Sequence, residues 1–193
     1  MAITIDGTGT IGGITAGGLP DGIITGNDLA TGAVTGEKLG TKTFVSYAAI
    51  CDQKASGTAG GTFNNSAWRT RDLNTETTDS DNIVSILNNQ FTLIAGSYLI
   101  KWRAPAYRCG RHQSILYDIT AGAIVGRGQS TLSDSGVDGD VNESYGNLRV
   151  TFNSSNTYEV RHQCAVSEPT YGLGYPCSMG LEQYTNVEIY KEA

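Results

Sequence analysis

Between Ile14 and Phe44 an apolar side chain recurs at every fifth residue: Ile14, Leu19, Ile24, Leu29, Val34, Leu39 and Phe44. A period of five fits neither a helix at about 3.6 nor a strand at about 2. It fits a repeating unit made of a short extended piece and a turn. Two such units align residue by residue: Gly22–Thr31 and Gly32–Thr41 share Gly, Thr, Gly, Leu and Thr at the same places. Thr25 and Thr35 stand where they can cap single helical turns through 27–29 and 37–39. Eleven of the first forty residues are Gly, and residues 1–43 hold no aromatic and no cysteine. A segment without large side chains cannot fill a core alone. Two readings stay open for residues 1–43: a stalk in which several parallel copies bury the apolar row between them, or a flexible linker or docked peptide.

From Phe44 onward the composition changes. Both Trp and all ten Tyr lie there. Short β-branched and aromatic runs are bounded by Asn, Gly and Ser. Strands are expected over 43–51, 83–87, 91–94, 98–102, 114–119, 123–126, 148–152, 157–164 and 184–190. Asn88-Asn89, Ala95-Gly96-Ser97 and Asn153–Asn156 are the turns. Some eight to ten short strands with no long helical period read as a sandwich or jelly roll.

Charge narrows the partners. Thirteen Lys and Arg against nineteen Asp and Glu give −6, the wrong balance for gripping a nucleic-acid backbone. No run of eighteen apolar residues is available to span a membrane. The opening Met1–Gly7 lacks the basic and apolar stretches of a signal peptide. Nucleic acid and membrane are therefore not expected as partners.

Several of these residues resemble the C1q-like (C1q/TNF-type) family. Phe91-Thr92-Leu93-Ile94-Ala95-Gly96-Ser97-Tyr98 is similar to its Phe-Thr-x-x-x-Gly-x-Tyr signature. Phe44–Ala48 resembles its first strand and Val187–Lys191 its last. With Trp68–Glu76 and Ala104–Arg108 the chain looks like the C1q-like tip domain of bacteriophage fibres. The Gly-Ala-Val-Thr-Gly-Glu-Lys-Leu segment looks like the short repeats that precede such tips. The resemblance implies a homotrimer of ten-stranded jelly rolls over residues 44–193, preceded by the stalk of residues 1–43. It implies a virion fibre protein, assembled in a bacterial cytoplasm. Its head would bind a host-surface glycan or protein, and residues 1–43 would contact other virion proteins. The alternative is a capsid-decorating fibre or tail component with no receptor role.

No nucleophile elbow, phosphate loop or His-Glu-x-x-His occurs, so neither enzymatic activity nor a cofactor is expected. Two clusters invite metal readings. Cys109, His112, His162 and Cys164 carry zinc-ligating atoms. Strand alternation, however, sends Cys109 and His112 to opposite faces, and buried thiols with surface imidazoles are the plainer reading. A disulfide, Cys164–Cys177 or Cys109–Cys164, is the other option. Asp134, Asp138, Asp140 and Glu143 sit in a polar loop over 131–146, dense in carboxylates but without the calcium-loop spacing. Those four, with Tyr171 and Tyr175 in a second loop over 167–178, are the receptor-contact candidates, because loops on a rigid β scaffold carry recognition.

Overall fold

The computed structural model describes residues 43–134, 136 and 140–193, together with residues 27, 30, 31, 33 and 34. The chain separates into two units, Met1–Thr41 and Lys42–Ala193, and the second carries the fold. The five-residue repeat lies almost wholly outside the described residues.

Eleven strands form the second unit: β1 (Phe44–Lys54), β2 (Arg69–Thr70), β3 (Thr75–Asp79), β4 (Val84–Leu87), β5 (Gln90–Leu93), β6 (Gly96–Tyr107), β7 (Gly110–Asp118), β8 (Ala123–Ser133), β9 (Val141–Phe152), β10 (Asn156–Cys164) and β11 (Glu182–Glu192). One sheet runs β3-β1-β11-β6-β9. The other runs β4-β5-β10-β7-β8, with β2 also pairing β10. Every ladder is antiparallel. No α-helix occurs among the described residues. The protein is an all-β sandwich, as its patterning predicts.

Alternation builds the core. Tyr98, Ile100, Trp102 and Ala104 of β6 point inward. Ile100 and Trp102 are register partners of Ile189 and Val187 on β11. The other sheet answers with Phe91, Leu93, Leu116, Tyr158 and Val160. The Tyr98 ring is fully buried, stacks on Phe152 at 5.3 Å and donates its hydroxyl to the Ile94 carbonyl at 2.9 Å. Gly96, at φ +155°, is squeezed between Lys191 and Tyr98. The Trp102 indole donates to Ser114 Oγ at 2.9 Å and lies against two glycines. A Cβ on Gly146 would stand 2.0 Å from its Cζ2, and one on Gly126 2.8 Å from its Cη2. Asn88 and Asn89, at φ 53° and 64°, make the turn between β4 and β5 that two positive φ values require.

Register also fixes polarity. β1 begins at Phe44, opposite Glu192, at one pole. The opposite pole carries the long connections β1–β2, β8–β9 and β10–β11, along with the tight β6–β7 turn. The two expected loops shift accordingly. Thr131–Ser133 and Val141–Gly146 are strand, so only 134–140 joins β8 to β9.

Candidate functional site

The loop pole is held by directional bonds rather than by apolar packing alone. Arg71 is buried there. Its Nε donates to Thr185 Oγ1 at 2.7 Å, Nη1 to the Pro105 carbonyl at 3.1 Å and Nη2 to the Leu173 carbonyl at 2.6 Å. Desolvation lowers its pKa to about 10, with Asp52 and Asp72 pulling the other way. Glu182 accepts the N–H groups of Gly57 (2.9 Å), Cys177 (3.0 Å) and Ser178 (2.8 Å), and these bonds hold its carboxyl below the usual range. Glu168 accepts the N–H of Thr170 at 2.9 Å and that of Tyr171. These three side chains fix the β10–β11 loop from both sides.

On that loop Tyr171 and Tyr175 meet each other at 4.9 Å. Both meet Tyr107, the last residue of β6, at 6.3 and 4.8 Å. Arg108 lies over the Tyr107 ring at 5.8 Å. Tyr175 is exposed, while Tyr171 and Tyr107 are half-buried. The two expected tyrosines thus belong to a cluster of three. Tyr107 is not marked by the sequence, whose expected strand ends at Trp102, whereas β6 runs on to Tyr107.

The acidic candidates do not converge. Asp140 Oδ1 accepts the Asp134 N–H at 2.5 Å, and Oδ2 accepts from Asn142 Nδ2 at 3.1 Å. Asp134 Oδ1 accepts the Gly136 N–H at 2.8 Å. Both carboxylates cap their own loop. Glu143 lies on β9, not in the loop, and accepts the Tyr145 hydroxyl. Asp138 lies outside the described residues. No group of three or more metal-ligating side chains comes together among the described residues.

The four zinc candidates come together as two pairs. Cys109 Sγ stands 3.4 Å from Ser133 Oγ, and Cys164 Sγ donates to the Val166 carbonyl at 3.3 Å; the neighbouring thiols act on each other, raising the Cys164 pKa, with burial adding, and lowering that of Cys109. His112 Nδ1 and His162 Nε2 stand 3.0 Å apart. All four cysteines are free. Surface imidazoles were expected, but His112 is 4% exposed and His162 0%. The alternation argument fails because Arg108 and Gly110, at φ +51° and +67°, turn the backbone at the entry to β7. Cys109 and His112 therefore both face inward. Burial pushes the His112 pKa down to about 4, Arg71 adding to the effect and Asp140 opposing it. His162 falls well below the ordinary imidazole value, from burial first and then from Arg71 and His112. One proton serves the bond between the rings. His112 Nε2 and His162 Nδ1 are buried with no partner among the described residues.

No family model and no curated protein matches the sequence. Among solved structures, murine APRIL at pH 5.0 is similar at a TM-score of 0.52 and 10% identity, over 76% of this chain and 98% of that one. The Eiger TNF of S. frugiperda is similar at 0.51 and 12%, over 79% and 94%. The globular domain of zebrafish complement 1qA aligns at 0.42 and 15%, over 75% and 95%. At such identities the likeness concerns the fold alone. The first two carry it: the sandwich is a TNF-type jelly roll.

Proposed function

We propose that the chain is a trimeric virion fibre protein of a bacteriophage, with residues 1–43 as its stalk or anchor. Its head binds a host-surface structure. The polarity of the head carries this reading. The chain enters at one pole, and the pre-ordered loops with the tyrosine cluster stand at the other, where a fibre tip makes contact. Association is supported by the outward face of the five-stranded sheet. Phe44 and Tyr47 flank Tyr190 at 5.1 and 5.0 Å, and Lys101 lies over the Tyr190 ring at 5.0 Å. Phe44 and Tyr47 are exposed, an aromatic patch of the kind that marks an interaction surface.

The full chain should sediment as a trimer at micromolar concentration, and a monomer there would overturn the assembly. Replacing both Tyr171 and Tyr175 by Ala should weaken adhesion to host cells about tenfold or more while the trimer persists. Unchanged adhesion would instead favour a decorating fibre without a receptor role.

A further inference from the structure

The triplet Arg-His-Gln occurs twice, at Arg111–Gln113 and Arg161–Gln163, and the register of β7 against β10 gives the repetition a spatial meaning. Gln163 is the direct partner of Gln113, and Gln113 that of Ser130 on β8. Directly opposed residues share a face, so the three form a polar rung across β10, β7 and β8. Arg111 and Leu132 are the next register pair on that face. The histidines point the other way and meet beneath the sheet. The two arginines have different fates. Arg161 is engaged by Glu159 and lies over the Tyr117 ring at 3.4 Å. Arg111 is exposed and has no ion-pair partner among the described residues.

The rung is the floor of a groove of about 610 Å³, and the half-buried Trp68, just before β2, closes one side. That volume lies within the roughly 300–1,000 Å³ of small-ligand sites. The polar groups are preset. Gln113 Nε2 donates to the Gly128 carbonyl at 2.9 Å and contacts Ser130 Oγ at 3.2 Å, which leaves its Oε1 as an acceptor. Gln163 makes no side-chain bond among the described residues, so its amide offers both donors and an acceptor. Arg111 adds a planar fork of donors, Trp68 a flat ring with an electron-rich face, and Leu132, at 60% exposure, an apolar rim.

We propose that this groove binds a neutral oligosaccharide, with a pyranose ring stacked on Trp68. Its hydroxyls bond to Gln113, Gln163, Ser130 and Arg111. A ring with one apolar face and a rim of hydroxyls matches an aromatic plate beside amide, hydroxyl and guanidinium groups. Among the described residues Arg111 is the single cation lining the groove, and one guanidinium does not hold a polyanion against the carboxylates beyond it. The chain carries −6, and Asp134 and Asp140 stand where β8 ends and β9 begins, beyond Leu132. This surface is separate from the tyrosine cluster.

The full-length assembly is titrated with linear oligosaccharides of glucose, mannose, galactose and N-acetylglucosamine, and with oligogalacturonate as the acidic comparison. Tryptophan fluorescence reports binding, because Trp102 is buried and a saturable change belongs to Trp68. At least one neutral oligomer should bind. Arg111→Gln and Gln163→Ala should each weaken it about tenfold without shifting the melting temperature, and Trp68→Phe should silence the signal. The Tyr171→Ala, Tyr175→Ala double variant should bind as the parent does. The proposal falls if no neutral oligomer binds, if oligogalacturonate binds better, or if both groove variants are silent. It also falls if acrylamide cannot quench Trp68, since a neighbouring subunit would then cover the groove. The readout is a purified sugar on a purified protein, so failure here leaves the adhesion reading standing, and failed adhesion leaves the groove standing.

Discussion

The middle of the sandwich and its loop pole are both buried, yet they are built differently. The middle is a cluster of aliphatic and aromatic side chains around Ile100, Trp102, Tyr98 and Val187. The loop pole has a small apolar cluster of Phe63, Ala106, Cys109, Cys164 and Leu173, interleaved with Arg71, His112 and His162. Apolar contacts are non-directional and tolerate repacking. Buried polar groups are stabilising only when their partners are in place. The middle therefore sets the fold, whereas the loop pole sets one arrangement of the loops.

The sharpest break is Arg71→Met. It removes three bonds and leaves two carbonyls and a hydroxyl buried without a donor, which should cost about 5 kcal/mol. Amide exchange in 165–181 should quicken far more than in β6. Uniform quickening across both regions would erase the distinction between them.

Tyr98→Ala tests the middle. A fully buried ring predicts a loss of about 3–5 kcal/mol, while Tyr98→Phe, which loses only the bond to Ile94, should cost about 1 kcal/mol. Equal losses would mean that the hydroxyl, not the ring, is what matters there.

A third test is the response to acid. Both histidines titrate lower in the folded chain than the ordinary 6.5. Unfolding therefore takes up protons below that value, and the stability these neutral rings hold is complete above about 6.5 and lost as pH falls. For His112 the loss levels off near 4. The charged neighbours are Arg71, which deepens the shift, and Asp140, which opposes it. His112→Gln with His162→Phe should flatten stability between about pH 6.5 and 4, and an unchanged slope would assign the acid response to carboxylates instead.

What the sequence revealed follows the same division. Gly96, Tyr98 and the Asn88-Asn89 turn were legible because each obeys a local rule: a positive φ, an inward ring, a two-residue hairpin. β2 and β3 were not, because Arg69–Thr70 and Thr75–Asp79 are edge strands, polar on both faces, and show no alternation. The outer parts of β8 and β9 were taken for loop because Ser, Asn and Gly dominate there. Tyr171 and Tyr175 stand out by composition, and the structure shows only that their rings meet Tyr107. Nothing local marks Arg71, an arginine whose partners lie 34 to 114 residues away. The histidines were misplaced by a two-residue backbone turn that strand periodicity cannot register.

The glycines under Trp102 constrain how such a sandwich drifts over generations. Neither Gly146 nor Gly126 can gain even a methyl group while the indole is present. The indole cannot shrink first without leaving a hole worth about 3–5 kcal/mol, a large share of the roughly 5–15 kcal/mol that holds a domain folded. Each single step away from this trio is therefore costly. Descendants should keep all three or exchange them together, while the loops at the far pole diversify around a fixed hinge of packing.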